Sequence, residues 1–509
     1  MIPTQFGLNL SVLICALCTT VLRADDLQDL HLQFVPRTDQ EVARIEAIIA
    51  PTNDFSRPEQ FEENSGGAAT VRPTRTNNAF SQPSANISFE KELEFKVGNG
   101  LFKKLWVSSP SSTLASDGLG PLYNARSCQR CHLKDGRGHP PENVDDSATS
   151  LLIRLSIPDE TDMIAEIEGY IATRPDPVYG GQIQDFGIAG HPAEARVRIT
   201  YTEKTLILSD GEEVSLRKPD VELVDLRYGP LHPDVMISAR VAPQMIGLGS
   251  LGAVPAADIL ARADPEDSDG DGISGRANVV MSSADEQPML GRFGLKAGKA
   301  SVWEQTAGAF SGDIGISSSL NPQGFGDCTV KQTRCQAAPD GNTRAHDDAE
   351  ISDVGLELVT YYSANLGVPA RRDVGDPEVL QGKQVFYETG CTACHTPKHV
   401  THRLKDQPEQ SFQLIWPYTD MLLHDMGRGL ADNRPEGRAT GQEWRTPPLW
   451  GIGLTQQVSG HTYFLHDGRA RNLLEAILWH GGEAEAAKQR VVNLPKIDRD
   501  ALIRFLESL

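Results

Sequence analysis

The chain has 509 residues, with 48 lysines and arginines against 69 aspartates and glutamates, so its net charge is −21. This acidic balance argues against a nucleic-acid-binding protein, which needs a basic surface to replace the counterions of phosphate. It also argues against a protein that binds anionic membrane surfaces. The length corresponds to roughly two to four domains, and eight cysteines are too few for a disulfide scaffold in a chain of this size.

An apolar run near the N-terminus extends from Leu8 to Leu22 and is followed by Ala24. A run of about 15 apolar residues that ends near a small residue is typical of a secretory signal peptide. It is shorter than the roughly 20 residues that span a bilayer. We therefore predict that residues 1–24 are a signal peptide, that the protein is exported, and that the mature chain has no transmembrane segment.

Two short motifs share the spacing C-x-x-C-H, one at residues 128–132 and the other at residues 391–395. This spacing is the attachment signature of c-type haem, in which two thiols bond to one porphyrin and the histidine binds its iron. A zinc ribbon would need its two C-x-x-C pairs about 15–20 residues apart. The sequence therefore predicts two covalently bound haem c groups, and the residues that hold them are Cys128, Cys131, His132, Cys391, Cys394 and His395.

A second similarity follows both motifs in the same order. Residues 243–249 are P-Q-M-I-G-L-G, and residues 447–453 are P-P-L-W-G-I-G. Further along, residues 300–307 resemble residues 471–478, and both segments have the apolar periodicity of an amphipathic helix. The common order indicates an internal duplication.

The interval between the haem motif and its proline-glycine segment is longer in the first half of the chain. Within it, alternating apolar and polar residues from Val197 to Ser209 precede Asp210-Gly211, and a similar alternation follows from Glu213. Alternation on both sides of Asp-Gly predicts a β-hairpin. We expect an inserted antiparallel β element in the first half.

An acidic loop begins at Asp267 and continues with Asp269, Asp271 and Gly272. Carboxylates at this spacing match the first half of a calcium-binding EF-hand loop, whose glycine permits the sharp turn. Asn278 stands where an EF-hand carries a bidentate glutamate. We predict a Ca²⁺ site with the three aspartates as ligands; the alternative is a solvated acidic turn.

Cys328 and Cys335 are the remaining cysteine pair of the mature chain. In an oxidising compartment they could close a small loop as a disulfide. The alternative is two unpaired surface thiols.

The segment from Asp376 to Tyr387 has the N-cap and apolar spacing of an amphipathic helix that leads into the second haem motif. We expect a mainly α fold with two cytochrome c-like domains, the N-terminal one with the inserted β element and the calcium-like loop. The predicted parts are a signal peptide (1–24), an N-terminal helix and extended arm (25–89), an N-terminal haem domain (90–372) and a C-terminal cytochrome c domain (373–509).

The sixth ligand of each iron decides whether a haem only transfers electrons or also binds peroxide. For the C-terminal haem, Met426 is a soft candidate ligand and His424 is its rival. A nearby C-terminal stretch is dense in groups that could transfer protons or pair with haem propionates. Its candidate catalytic residues are His466, Arg469, His480 and Glu483.

The motifs together resemble the di-haem oxidoreductase family, which is similar to bacterial di-haem cytochrome c peroxidases. The resemblance covers most of residues 90–509. It implies two cytochrome c domains, calcium near their interface and a bacterial periplasmic setting. It also implies electron entry at the His395 haem and peroxide chemistry at the His132 haem. The further segments that carry it are residues 240–249, 267–278, 291–294, 422–427, 443–453 and 466–483.

One residue departs from the pattern of the family. Leu295 follows G-R-F-G, where the resemblance leads us to expect a tryptophan that assists transfer between haems.

The function we expect is a periplasmic, peroxidase-like di-haem oxidoreductase. Its partners would be a soluble electron donor, such as a small cytochrome or a cupredoxin-like protein, and peroxide or another oxidisable substrate. Two alternatives remain open: a non-enzymatic di-haem electron carrier, and a di-haem oxidase that acts on a protein. The acidic charge leaves room for a basic donor guided by electrostatic attraction.

Overall fold

The computed structural model describes residues 27–72, 74–143, 146, 149–159 and 167–509. The predicted signal peptide lies outside these residues. Helices account for 29% of the chain and strands for 18%, so the predicted mainly α, cytochrome c-like fold is wrong. The chain contains 46 glycines and 32 prolines, which interrupt helices. Long connections are instead pinned by very short strand pairs; the predicted domain bounds remain predictions.

Most helices are short, and their ends are set by side-chain caps. The first helix has a capping box, in which Thr38 and Glu41 satisfy each other's backbone N–H groups. None of the described helices is long and apolar enough to cross a bilayer. The helices are α1 Asp39–Ile49, α2 Phe89–Lys103, α3 Cys128–Cys131, α4 Leu248–Gly252, α5 Ala256–Leu260, α6 Val302–Ala309, α7 Thr333–Gln336, α8 Asp353–Ala364, α9 Pro377–Glu388, α10 Thr455–Ser459, α11 Leu473–Trp479, α12 Glu485–Val492 and α13 Lys496–Ser508.

The strands form one three-stranded sheet, in the order β10-β5-β6, and several two-stranded ribbons. Only the ribbon of β2 and β3 is parallel among those described. The strands are β1 Phe34–Val35, β2 Val107–Ser108, β3 Asp117–Leu119, β4 Leu122–Tyr123, β5 Leu151–Pro158, β6 Thr173–Arg174, β7 Phe186–Gly187, β8 Arg196–Ile207, β9 Glu213–Val224, β10 Met236–Val241, β11 Val279–Met281, β12 Pro288–Leu290, β13 His399–Val400, β14 Arg403–Leu404, β15 Leu414–Ile415, β16 Leu423–Asp425 and β17 Glu443–Arg445.

The predicted β-hairpin is confirmed. Strands β8 and β9 pair in register along their whole length around the turn at Gly211, which has a positive φ of 89°. The tip of the hairpin contacts the C-terminal half, because Arg499 of α13 donates to Asp210 and Glu212 at 2.7 Å each. The insertion therefore ties the first half of the chain to the second.

Two further predictions from local sequence are confirmed. Asp376 caps α9 by accepting from the backbone N–H groups of Glu378 and Val379. The apolar face of α9 is buried and packs against α13. Cys328 and Cys335 form a disulfide.

The two proline-glycine segments of the repeat pack against each other. Gly247 and Gly451 both adopt positive φ, at 72° and 73°. A methyl group added at Gly247 would overlap the ring of Trp450, and one added at Gly451 would lie 2.6 Å from Ile246. Each copy thus presents a glycine to the bulky residue of the other, and this contact brings the two halves together around one interior space.

The repeat also extends to the segments before α6 and α11. A β-bridge joins Phe293 to Lys299 in the first half, and a matching bridge joins Phe464 to Ala470 in the second. The two helices that follow start with equivalent caps, since Ser301 accepts from the N–H of Glu304 and Asn472 from that of Glu475. The duplication predicted from sequence therefore has a structural counterpart of bridge, cap and helix.

Candidate functional site

The first C-x-x-C-H motif forms a single helical turn, α3, that ends at His132. The Nδ1–H of His132 donates to the carbonyl of Pro243 at 2.8 Å. Burial lowers the pKa of this imidazole to about 4, so the ring is neutral and Nε2 keeps its lone pair. A backbone carbonyl that fixes one ring nitrogen is the usual way to orient a metal-binding histidine.

The second motif repeats this arrangement with a different turn. Gly390 has a positive φ, and a 3₁₀ turn follows at Cys391–Ala393. The Nδ1–H of His395 donates to the carbonyl of Tyr418 at 2.9 Å. Burial again lowers the pKa of the histidine to about 4.

Both motifs line one cavity of about 810 Å³. The four cysteines of the motifs are free thiols. The walls also hold polar atoms without a hydrogen-bond partner, among them Nη2 of Arg240 and Nε of Arg434. Two thiols, a neutral imidazole and unpaired guanidinium donors for propionates are what a c-type haem requires, and the chain offers the thiol-and-imidazole set twice.

An aromatic pair lies in the wall of the cavity. The ring of His466 stacks on Trp444, with ring centroids 3.8 Å apart and planes 14° apart. The carbonyl of His466 accepts from the N–H of Val241 at 2.7 Å, and Val241 belongs to the first half. Burial lowers the pKa of His466 to about 4, so the stacked ring is neutral.

His480 follows directly after α11 and lines the cavity near the second motif. Its Nδ1–H donates to the carbonyl of Ala476 at 2.7 Å. Burial lowers its pKa, and a charge on His480 would lower the pKa of His395, because the two rings are close. His480 therefore has the same neutral ring and free Nε2 as the two motif histidines.

His424 has no free ring nitrogen. Its Nε2 is 2.7 Å from a carboxylate oxygen of Asp420, and its Nδ1 is 2.6 Å from one of Glu483. These carboxylates outweigh burial and hold the pKa of His424 well above its usual value. The ring is an imidazolium clamped between two anions, whereas Met426 lines the cavity.

Two of the predicted catalytic residues have structural partners. Glu483 binds His424 and also accepts from the hydroxyl of Ser274 at 2.6 Å. The guanidinium of Arg469 pairs with Asp467 at 2.7 Å and lies over the ring of Trp479. Of the four predicted residues, His466, His480 and Glu483 line the cavity, and Arg469 is absent from its lining.

The wall next to the first motif carries three residues that the sequence did not single out: Arg154, Gln182 and Asp313. Gln182 donates from Nε2 to a carboxylate oxygen of Asp313 at 2.9 Å. The three residues are far apart in the chain, so no local spacing could have identified them. The signal that could have helped is the helical repeat, because Asp313 follows α6 much as His480 follows α11.

The acidic loop gathers a set of carboxylates that differs from the predicted one. Oxygens of Asp264, Asp267 and Asp269 lie within 4.8 Å of one another. Asp271 belongs instead to the cavity lining, and it accepts from the N–H of Ile273 at 2.8 Å. Calcium binding at this loop remains a prediction.

Comparisons with known proteins give one match of long span. The family model described as di-haem oxidoreductase, putative peroxidase, matches residues 60–509. No curated protein matches the chain significantly. Among solved structures, a hydrazine synthase of Kuenenia stuttgartiensis pressurised with xenon is 17% identical over 40% of this chain and 70% of its own. Its TM-score of 0.21 is too low to support any argument.

Proposed function

The chain belongs to the di-haem oxidoreductase family, and from this premise we propose that it carries two covalently attached c-type haems with unequal roles. Cys128 and Cys131 would hold the first haem, with His132 on its iron. Cys391, Cys394 and His395 would hold the second. The support for this assignment is that each motif offers free thiols and a neutral, oriented imidazole in a common cavity.

One observation carries the assignment of roles. When the helices after the two motifs are aligned on Glu304 and Glu475, His480 corresponds to Ala309. Both residues line the cavity. An imidazole with a free Nε2 can close the second iron, whereas a methyl group at the matched place leaves the first iron open. We therefore favour His480 over Met426 as the second sixth ligand, and His424 is excluded from that role by its two carboxylate partners.

When bound, the haems would supply one-electron redox chemistry and, at the open iron, a place for peroxide to bind. The residues of the chain would do the rest. Arg240 and Arg434 would pair with propionates through their unpaired N–H groups. His466 and Trp444 would exclude water from the wall between the halves. The activity proposed is a peroxidase-like reduction of hydrogen peroxide.

The setting of this activity is also part of the proposal. An exported, periplasmic protein would meet small redox proteins there, and a net charge of −21 would attract a basic one and speed its approach. The carboxylates of Asp264, Asp267 and Asp269 would take a calcium ion. The contact from Ser274 to Glu483 would connect that loop to the second haem site.

The test is a haem count and a ligand titration on holoprotein made in a host that matures c-type cytochromes. We expect two c-type haems per chain in the pyridine haemochrome spectrum. We also expect that cyanide and peroxide change the spectrum of only one of them. Calcium addition and removal during the titration shows whether the acidic loop affects either haem.

Matched double variants assign the sites. Cys128→Ala with Cys131→Ala should leave one haem and abolish the response to cyanide. Cys391→Ala with Cys394→Ala should leave one haem and keep that response. A wild-type protein in which neither haem ever binds cyanide or peroxide would contradict the peroxidase proposal and favour an electron carrier. A count of one haem or none would contradict the attachment itself.

A further inference from the structure

We propose that Asp313 is the acid–base residue of the first haem site, where it would move the proton that cleavage of peroxide requires. This inference rests on the proposed function and goes beyond it, because neither the haem motifs nor the C-terminal histidines include this residue. It is carried by the position of Asp313 in the cavity, by its hydrogen-bond partners and by the lack of an equally suited carboxylate nearby among the described residues.

The backbone fixes Asp313 beside the first haem motif. The residue lies in a π-helical turn, Phe310–Ile314, that directly continues α6. Its carbonyl accepts from the N–H groups of Asn124 and Ala125, at 2.8 and 3.0 Å. Asn124 and Ala125 lead straight into the motif that begins at Cys128. The carboxyl group is therefore attached to the same segment that would hold the haem.

The side chain of Asp313 is buried and has few partners. Gln182 donates to Oδ1 at 2.9 Å, and Arg154 is the nearby cation. Burial outweighs both and raises the pKa of Asp313 above its ordinary value. Gln182 leaves its own Oε1 without a partner in the cavity wall. A carboxylate and an unpaired amide oxygen thus face the space beside the first motif.

Two other buried acids near this wall are less suitable. Asp327 also lines the cavity, but its Oδ2 accepts from the backbone N–H groups of Gly181 and Gln182, at 2.7 and 3.0 Å. Those two bonds leave that oxygen little capacity to accept a proton. Asp185 accepts from the amide of Asn124 at 2.6 Å and is absent from the cavity lining. Asp313 is the carboxyl group that combines access with a free accepting site.

The proposed proton movement balances as follows. The Asp313 carboxylate accepts the proton from one oxygen of hydrogen peroxide and then returns it to the other oxygen. The O–O bond breaks, and that second oxygen leaves as water. The overall reaction consumes two protons and two electrons per peroxide and gives two waters. The electrons come from a one-electron donor protein, which is oxidised in two steps.

The experiment compares ligands that must lose a proton with one that has none. Hydrogen cyanide and hydrogen peroxide both give up a proton when they bind, so a nearby base accelerates them, whereas carbon monoxide carries no proton. General acid–base groups contribute about 100- to 10,000-fold. In Asp313→Asn holoprotein we expect the binding rates of cyanide and peroxide to fall by at least about 100-fold. The rate of carbon monoxide binding to the reduced protein should change by less than about threefold.

Asp185→Asn is the matched control, because it makes the same substitution at a buried acid near the same motif but outside the cavity lining. We expect its rates to remain within about threefold of wild type for all three ligands. Asp313→Glu keeps a carboxyl group and should recover part of the cyanide rate. It also serves as the test variant if the asparagine protein does not fold.

The outcomes separate the two proposals. If wild-type protein reacts with neither cyanide nor peroxide, the proposed function fails. If wild type reacts and Asp313→Asn reacts at the same rate, only the role of Asp313 fails. If carbon monoxide binding slows as much as cyanide binding, Asp313 merely shapes the pocket, and the acid–base role is likewise overturned.

Discussion

The two halves of this protein use the same local frame and end it differently. Each half has a haem motif, a bridge that starts at a phenylalanine, a capped helix and a cavity-facing residue at the end of that helix. In the second half that residue is His480, which follows α11 in extended backbone. In the first half it is Ala309, and the chain continues into a π-helical turn that carries Asp313. The comparison teaches that the frame positions a haem, while a single turn after the helix decides its chemistry.

The strongest way to break this comparison is to exchange the two residues. Ala309→His places an imidazole where the first half has a methyl group, so it should close the first iron. We expect the cyanide affinity of holoprotein to fall by at least about 100-fold, since a bound imidazole must first leave. Electron paramagnetic resonance should show a new low-spin signal. Ala309→Val, which fills the space without a ligand atom, should leave the spin state unchanged.

The reverse change should open the second iron. We expect His480→Ala to keep two haems per chain and to bind two cyanides instead of one, because the imidazole that closes the iron is gone. Optical titration and the haem count measure both numbers. If His480→Ala keeps the wild-type spectrum while Met426→Leu changes it, Met426 is the ligand and the matched position has no such meaning.

The contact between the halves can be tested by filling its two glycines. Gly247→Ala and Gly451→Ala would each combine a left-handed backbone with an overlap in a packed core. Strain and overlap together should lower the free energy of unfolding by about 4 kcal/mol in either variant. Gly460 has a similar φ of 79° but open space around it, so Gly460→Ala should cost only about 1 kcal/mol. Denaturant unfolding measures all three, and equal losses would show that packing between the halves contributes nothing.

Features encoded by neighbouring residues could be predicted from the sequence. The hairpin around Gly211, the capped helix after Asp376 and the disulfide of Cys328 and Cys335 each depend on short-range patterns, and the structure contains all of them. The fold class could not be predicted in this way. The two haem motifs suggested helical cytochrome domains, but they are short turns, and the chain around them consists largely of connections between small ribbons.

The candidate site divides along the same line. The two motifs announce themselves through their spacing, and His466, His480 and Glu483 were found because they are close together in the chain. Their roles depend on contacts that spacing does not encode. His424 looked like a ligand until its two carboxylate partners were visible. Asp313 and Gln182 meet across more than a hundred residues, so only the folded chain brings them together.

A smaller effect should separate the halves by pH. With the helices aligned as above, His466 corresponds to Leu295, and both residues line the cavity. Only the second half therefore carries a titrating ring at this place. Burial lowers the pKa of His466 from 6.5 to about 4. Between these values the unfolded chain binds a proton that the folded chain does not, so the ring makes folding less favourable as the pH falls.

The measurement is the free energy of unfolding of wild type and His466→Leu between pH 7 and pH 4. The wild type should lose about 3 kcal/mol more than the variant over this range, which is the pKa shift expressed as energy. Loss of the ring stack on Trp444 should lower the stability of the variant by a similar amount at every pH, so it shifts the curve without changing its slope. Parallel curves for the two proteins would mean that His466 is not held neutral by burial. The difference between the halves would then rest on the ends of α6 and α11 alone.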